Sequence, residues 1–204
     1  MSIGLCGASG TGKTTLAKVV AKYAEMYFLE SSARKALTLM GLDSQKNCDF
    51  NTRMAIQWKI LELAEEDYKN APKPFISDRT PLDFIAYTIA DVSRETLNDE
   101  QREDFEDYYI KCLNVTNTYF SIVTLIQPAI TIEEDGVRPT CSIYSEHINL
   151  ILLGLMSNEE QALFIAISMD RVVTDLKDRC RMIVSIMETH AQEELLNSAG
   201  ASHH

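Results

Sequence analysis

The stretch of sequence that decides the fold runs Ile3-Gly4-Leu5-Cys6-Gly7-Ala8-Ser9-Gly10-Thr11-Gly12-Lys13-Thr14-Thr15. Its spacing matches the pattern G-x-x-x-x-G-K-[ST] through Gly7, Gly12, Lys13 and Thr14. The apolar run before the glycines predicts a strand, and the residues from Lys13 to Ala24 keep helical spacing without Pro or Gly. Because strand, turn and helix agree, the stretch indicates a phosphate-binding loop rather than a glycine-rich turn that binds nothing.

Each part of this loop has a physical role in holding a nucleoside triphosphate. Glycines at positions 7, 10 and 12 allow positive φ and a close approach of backbone N–H groups to phosphate oxygens. Lys13 is placed to bridge the β- and γ-phosphates, and the Thr14 hydroxyl is placed to bind Mg²⁺. The sequence therefore predicts a site for ATP and Mg²⁺ formed by consecutive loop residues: Gly7, Ala8, Ser9, Gly10, Thr11, Gly12, Lys13, Thr14 and Thr15.

The composition of the 204-residue chain is typical of one globular domain. We expect that domain to span residues 1–198, and residues 199–204 look like the remnant of a purification tag. The five cysteines are odd in number and widely spaced, which favours reduced thiols in a cytoplasm. The loop begins close to Met1 and no apolar run is long enough to span a bilayer, so we expect neither a leader peptide nor a membrane anchor.

The formal net charge is −11, and much of it is concentrated between Asp91 and Asp107. The simplest interpretation of that segment is a solvated helix and loop. A strongly acidic chain is a poor partner for the phosphate backbone of a nucleic acid, although it does not exclude a local basic groove.

Strand patterns alternate with helix patterns along the whole chain, which predicts an α/β sandwich of three layers with a mostly parallel, five-stranded sheet. The predicted strands are Ile3–Cys6, Met26–Glu30, Phe75–Asp78, Ser121–Ile126 and Leu163–Ile167. The predicted helices are Lys13–Ala24, Ala33–Met40, Asn51–Asn70, Leu82–Ala90, Asp99–Leu113, Ser142–Leu155 and a last long helix that Asp170 caps. Ligands of such sheets bind at the carboxyl ends of the strands, so the residues that follow each strand are the candidate site.

Asp78 and Arg79 form the second informative feature, because a charged pair ends a buried strand at the ligand edge of the sheet. Two roles of Asp78 stay open: it holds Mg²⁺ through water, or it is the base that orients an acceptor hydroxyl toward the γ-phosphate. Arg79 is placed to neutralise charge on a transferring phosphoryl group. An ATP-driven motor or switch would typically carry a Glu after the Asp to activate water, and this chain carries Arg79 instead.

The stretch Phe75-Ile76-Ser77-Asp78-Arg79-Thr80-Pro81-Leu82-Asp83-Phe84-Ile85-Ala86-Tyr87 resembles the D-R-[ST]-x-x-D-x-x-A-Y segment of nucleoside and nucleotide kinases. The chain is most similar to small P-loop kinase-like proteins that are common in bacteriophages. That group is related to the ribosylnicotinamide kinase domain and to deoxynucleoside and deoxynucleotide kinases. The segment from Ile130 to Arg138 also resembles this group.

The resemblance implies specific roles. Lys13 and Thr14 would hold triphosphate and Mg²⁺, Asp78 would be base or Mg²⁺ ligand, and Arg79 would contact the acceptor or its phosphate. Further substrate contacts would come from Arg53, Gln57, Asp83, Tyr87 and Arg138, and a nucleotide contact from Arg171. The segment that would form a lid lacks the arginine cluster usual in monophosphate kinases.

Each of these further assignments has a structural alternative. Arg53 and Gln57 share a helix face that is exposed in the simplest interpretation. Asp83 would only cap its helix, and Tyr87 would only fill the core. The alternatives for the two remaining arginines are a solvated loop charge for Arg138 and an ion pair with Asp175 for Arg171.

The expected function is an ATP- and Mg²⁺-dependent phosphotransferase whose acceptor is a nucleoside or nucleoside monophosphate. One variant is a kinase of a hydroxymethylated base, 5-hydroxymethyluracil, within phage DNA, which the acidic charge supports poorly. A hypothesis of another class is a P-loop ATPase or switch that acts on a protein partner, and a third is a degenerate kinase kept as a scaffold. We expect a cytoplasmic protein, in the host cytoplasm if a phage encodes it, with no membrane partner and with a homodimer allowed.

Overall fold

The computed structural model describes residues 1–42, 48–129, 142–158 and 161–201. Its five strands are β1 (Ser2–Cys6), β2 (Tyr27–Leu29), β3 (Phe75–Asp78), β4 (Ile122–Ile126) and β5 (Ile165–Met169). Its helices are α1 (Lys13–Tyr23), α2 (Ala33–Leu39), α3 (Phe50–Asn70), α4 (Pro81–Val92), α5 (Asp99–Tyr119), α6 (Ser142–Met156) and α7 (Leu176–Ala201). Arg138 and the rest of the segment predicted to form a lid lie outside the described residues.

All five strands are parallel, in the order β2-β3-β1-β4-β5. The first strand therefore lies in the centre of the sheet, and every one of its residues is buried. Its register pairs Leu5 with Asp78 of β3 on one side and Cys6 with Leu125 of β4 on the other. The phosphate-binding loop thus leaves the sheet directly beside the last residue of β3. The α/β sandwich with a parallel five-stranded sheet is confirmed.

Helices cover both faces of the sheet and create two apolar cores. On one face Cys6 and Phe75 pack into a cluster with α3, α4, α5 and α6. On the other face Ile3, Leu5 and Ile76 pack with α1 and α7. Alternate residues of a strand point to opposite faces, so these nearly continuous apolar runs supply both cores at once.

Gly4 lets the chain after β3 cross β1 closely. A Cβ atom at this position would lie 2.2 Å from Thr80 Cγ2 and 3.0 Å from Phe120 Cδ1. Thr80 is the residue that precedes α4. A side chain at position 4 would therefore push the start of α4 away from the sheet.

The carboxyl-terminal part of the sequence is where the predicted boundaries are wrong. The fifth strand is Ile165–Met169, two residues later than predicted, and α7 begins only at Leu176. Asp170 does not cap that helix. Instead Asp175 accepts hydrogen bonds from the backbone N–H groups of residues 177 and 178. Val172, which follows Asp170, precedes the helix and is 81% exposed.

Within the described ranges, none of the helices combines the length and the apolar character that crossing a bilayer requires.

Candidate active site

The loop between β1 and α1 has the backbone conformation that its glycines predict. Gly7, Gly10 and Gly12 have φ angles of 145°, 83° and 86°, which side chains of L-residues rarely allow. At Gly7 a Cβ would also lie 2.5 Å from the carbonyl oxygen of Ile126. Gly12 immediately precedes α1, so the positive end of that helix is directed at the space enclosed by the loop.

Lys13 folds back into the loop. Its side chain is buried, and Nζ donates hydrogen bonds to the carbonyl oxygens of Gly7 at 2.8 Å and Ala8 at 2.7 Å. Burial lowers the pKa of Lys13 to about 8, the Arg79 guanidinium acts in the same direction, and the carboxylates of Asp83 and Asp78 oppose them. The ammonium group is thus held where phosphate oxygens would replace the carbonyl oxygens as its partners.

Thr14 and Asp78 meet at the mouth of the loop. The Thr14 hydroxyl donates a hydrogen bond to Asp78 Oδ2, although the two residues are 64 positions apart in sequence. A hydroxyl and a carboxylate are hard oxygen donors of the kind that Mg²⁺ prefers, and Mg²⁺ is typically held by few protein groups together with phosphate oxygens. These two side chains therefore fit the predicted metal.

Arg79 and Tyr87 both contact the phosphate-binding loop. Arg79 Nη2 donates to Ser9 Oγ at 3.1 Å, and its guanidinium lies 4.9 Å from the centre of the Tyr87 ring. The Tyr87 hydroxyl accepts a hydrogen bond from the backbone N–H of Ser9 at 2.8 Å. Arg79 also has a φ of 90°, an unfavourable conformation for a residue with a side chain. Arg79 thus contacts the loop from a strained backbone conformation in the turn after β3.

Asp83 lies beneath the loop and is fully buried. One carboxylate oxygen accepts from the backbone N–H of Gly7 at 3.0 Å, and the other accepts from the N–H of Thr80 at 2.8 Å. Burial raises the pKa of Asp83, and the nearby cations Arg79 and Lys13 oppose that shift. The predicted helix cap is confirmed, since Thr80 and Asp83 form a capping box. The bond to Gly7, which joins α4 to the phosphate-binding loop, was not predicted.

A cavity of about 450 Å³ opens in front of the loop. It is lined by Ser9, Gly10, Gly12, Lys13, Thr14, Thr15, Glu30, Ser31, Ala33, Arg34, Asp78 and Arg79. Glu30 and Arg34 are exposed residues after β2, and neither is among the site residues predicted from the sequence. Because β2 pairs with β3, its carboxyl end adjoins Asp78, and sheet order is the signal that would have identified both residues.

Arg53 and Gln57 do not lie on an exposed face, so that interpretation is wrong. They are 9% and 3% exposed, and each has polar partners in the protein. Arg53 Nη1 donates to Glu95 Oε1 at 2.5 Å, and Gln57 Oε1 accepts from the hydroxyl of Tyr108 at 3.2 Å. Neither residue lines the cavity in front of the loop.

A polar chain nevertheless leads from Arg53 toward the phosphate-binding loop. Arg53 Nε lies 3.9 Å from Asp91 Oδ2, and Asp91 accepts a hydrogen bond from the Tyr144 hydroxyl at 3.1 Å. The rings of Tyr144 and Tyr87 are 6.2 Å apart. Tyr87 is therefore the point at which this chain reaches the loop.

Arg171 lies on the exposed loop after β5 and does not pair with Asp175. Its guanidinium forms a fork on Glu146 of α6, with Nη1 and Nη2 at 2.5 and 2.7 Å from the two carboxylate oxygens. Its Nε donates to Gln127 Oε1 at 3.1 Å. The ion pair with Asp175 was therefore the wrong alternative, and Arg171 instead connects the ends of β4 and β5 with Glu146 of α6.

Together these contacts define a P-loop protein with an Mg²⁺-compatible Thr-Asp pair at the carboxyl ends of central parallel strands. A family model described as an AAA domain matches residues 2–169, and the chain belongs to this family. Its P-loop kinase-like architecture, inferred from the loop and from the segment after β3, is confirmed by solved structures with the same fold.

Three solved structures illustrate the fold. Deoxyadenosine kinase from M. mycoides, with the products dCMP and a flexible dCDP, is 17% identical with a TM-score of 0.67 over 93% of this chain and 100% of that chain. NadR protein in complex with NAD and AMP-PNP is 15% identical with a TM-score of 0.62 over 92% of this chain and 48% of that chain. YorR protein from Bacillus subtilis, in complex with phosphorylated GDP, is 14% identical with a TM-score of 0.53 over 94% of this chain and 98% of that chain. No curated protein sequence matches the chain significantly.

Proposed function

We propose that this protein is a phosphotransferase that uses ATP and Mg²⁺ to phosphorylate a nucleoside or a nucleoside monophosphate. The observation that carries the proposal is the shared cavity in front of the loop. On one side the Thr14 hydroxyl is bonded to Asp78, and on the other side Glu30 and Arg34 face the same space. Binding of ATP alone would not require Glu30 and Arg34, the second carboxylate and the second cation of this cavity.

The proposed donor half consists of the loop and its supports. Backbone N–H groups of the loop and the Lys13 ammonium bind the β- and γ-phosphates, and they neutralise charge without moving during the reaction. Thr14 and Asp78 would hold Mg²⁺, which would supply further neutralisation of the phosphate oxygens. Arg79 lies beside Ser9 and is placed to stabilise the negative charge of the phosphoryl group during its transfer.

Glu30 is our candidate for the general base. Its carboxylate is exposed and lines the cavity, whereas the Asp78 carboxylate already accepts the hydrogen bond of Thr14. The two roles that were open for Asp78 are thereby divided between two residues. Asp78 belongs to the metal side, and Glu30 takes the proton of the acceptor hydroxyl as that oxygen approaches the γ-phosphate.

The acceptor class is supported by the solved structures of similar fold. The M. mycoides kinase is named for deoxyadenosine, and its structures hold dCMP, dCTP or dATP. NadR has been solved with NR. Arg34 lines the cavity and is available as a partner for an acceptor phosphate, which supports a nucleoside monophosphate. Arg53 and Gln57 remain predicted contacts of the acceptor base, and the contacts that start at Arg53 reach the loop at Tyr87.

The test is ADP release from Mg-ATP, measured with a panel of acceptors. The panel contains the four deoxynucleosides, their monophosphates, nicotinamide riboside, plain DNA and DNA containing 5-hydroxymethyluracil. Strong stimulation by a nucleoside or a monophosphate supports the proposal and identifies the acceptor. Stimulation by the modified DNA alone would show that the acceptor is a base within DNA and not a free nucleoside or nucleotide. Release that no acceptor changes contradicts the proposal and favours an ATPase or switch with a protein partner.

A further inference from the structure

Arg179 of α7 is a buried arginine that reaches the phosphate-binding loop from behind. It is 168 residues away from Thr11 in sequence, yet its Nη1 donates to the Thr11 carbonyl oxygen at 2.9 Å. Its Nε donates to the carbonyl oxygen of Val173, in the loop between β5 and α7, at 2.7 Å. Arg179 is 2% exposed; its hydrogen bond to Thr11 is buried, and its hydrogen bond to Val173 is partly buried.

The charge of Arg179 is not neutralised by the part of the chain that the structure describes. No described carboxylate lies within ion-pair distance of it, and its partners are the backbone carbonyl oxygens of Thr11 and Val173. Burial lowers the pKa of Arg179 because it disfavours the charged form. A buried cation with only neutral partners is costly, and an anion held in the adjacent loop would reduce that cost.

The geometry of one peptide unit connects this cation to the phosphate site. The Thr11–Gly12 peptide bond is planar and trans, so the carbonyl of Thr11 and the N–H of Gly12 point in opposite directions. Thr11 is 2% exposed and does not line the cavity, whereas Gly10 and Gly12 do. Arg179 therefore binds the outer end of this peptide, and the N–H of Gly12 is directed to the inner side, where phosphates bind.

We propose that Arg179 is a positioning residue for the triphosphate, which acts through the Thr11–Gly12 peptide. The hydrogen bond to Thr11 fixes the direction of the Gly12 N–H, and the positive charge polarises that N–H toward an anion. The second hydrogen bond, to Val173, joins the loop after β5 to the phosphate-binding loop through the same guanidinium. The inference rests on the proposed triphosphate site but not on the identity of the acceptor.

The test compares Arg179→Met with the matched variant Arg181→Met on the same helix. Arg181 is exposed, and among the described residues its ion-pair partner is Asp178, one turn away. Calorimetric titration measures Kd for Mg-ATP and for magnesium tripolyphosphate, which has no base or sugar. Loss of a charged hydrogen bond predicts that Arg179→Met weakens both ligands by about tenfold or more, while Arg181→Met binds like the wild type. A smaller loss for tripolyphosphate than for Mg-ATP would contradict action through the phosphates.

A purely structural role would have a different signature. It would reduce the number of binding sites per chain without changing Kd, because the folded molecules would still have an intact loop. Spectra of protein labelled with [¹⁵N]glycine provide a second measurement. We expect the Gly12 amide to shift in Arg179→Met and the amides of Gly41 and Gly154, which lie on open surface, to stay in place.

If Arg179→Met does not fold, Arg179→Lys decides the matter. Lysine keeps the charge but offers a single nitrogen, so it cannot hold Thr11 and Val173 together. Weaker Mg-ATP binding in Arg179→Lys supports the proposal, and an unchanged Kd overturns it, as an unchanged Kd in a folded Arg179→Met would. If the wild type itself binds no Mg-ATP, the triphosphate site of the proposed function fails, which is a separate result.

Discussion

At the scale of single residues, Lys13 is the side chain whose protonation matters most for the proposed triphosphate site. Its pKa is lowered to about 8, so the free protein loses this charge as the pH rises through about 8. Bound phosphates stabilise the charged form, which means that binding takes up a proton above that pH. The Kd for Mg-ATP should therefore be constant from pH 7 to 8 and then increase, by up to about tenfold per pH unit.

The measurement is a titration of Mg-ATP at a series of pH values with the wild type and Lys13→Met. The variant should bind far more weakly at pH 7 and should show no further loss above pH 8. A wild-type profile that stays flat up to pH 10 would contradict the lowered pKa of Lys13, and unchanged binding in Lys13→Met would show that Lys13 does not bind the phosphates.

Glu30 is the second residue whose role can be tested in isolation. If it is the general base, Glu30→Gln should lower the rate of transfer by about 10²- to 10⁴-fold and leave the Kd for Mg-ATP unchanged. Asp78→Asn should instead increase the Mg²⁺ concentration needed for half-maximal activity. Glu66→Gln, an exposed site on α3, is the matched control and should behave like the wild type. Normal turnover in Glu30→Gln would return the base role to Asp78.

At the scale of secondary-structure elements, the contact between β1 and the start of α4 depends on Gly4. The Cβ of Gly4→Ala would overlap Thr80, so α4 and its capping box have to shift. Overpacking of this kind typically costs about 1–3 kcal/mol of unfolding free energy. Gly154→Ala in α6 is the matched control, since a Cβ there meets nothing within 4 Å and a helical Gly→Ala change stabilises by up to about 1 kcal/mol.

Denaturant unfolding of the two alanine variants measures this contrast. We expect the midpoint to decrease for Gly4→Ala and to stay the same or increase for Gly154→Ala. Equal midpoints would show that the start of α4 adapts to the extra methyl group. Because Asp83 joins α4 to Gly7, the shifted variant should also bind Mg-ATP more weakly.

At the scale of the whole molecule, local spacing predicted the fold well because each element has its own periodic pattern. The phosphate-binding loop is a continuous segment, so the strand, the glycines and the start of the helix are all visible in thirteen consecutive positions, Ile3 to Thr15. The end of β5 was missed because this edge strand is exposed at Ile165 and Ala166 and has little alternation to detect. Because the strand was predicted two residues too early, Asp170 was the predicted cap of α7. The cap is Asp175, which immediately precedes the helix.

The contacts that build the site were less accessible from sequence, because they join distant segments. Asp83 meets Gly7 across 76 positions, and Arg179 meets Thr11 across 168. Glu30 enters the site only because β2 lies next to β3 in the sheet. Sequence spacing identifies which side chains are able to perform chemistry, whereas the order of the strands determines which of them share a cavity.

The most direct test of the central claim is to follow the γ-phosphate itself. The protein is incubated with Mg²⁺, ATP labelled with ³²P at the γ-position and each deoxynucleoside or deoxynucleoside monophosphate, and the products are separated by chromatography. Our account predicts label on one small acceptor, and none when Lys13→Met replaces the wild type. Label found only in inorganic phosphate, with every acceptor unmodified, would contradict a phosphotransferase and leave a nucleotide hydrolase.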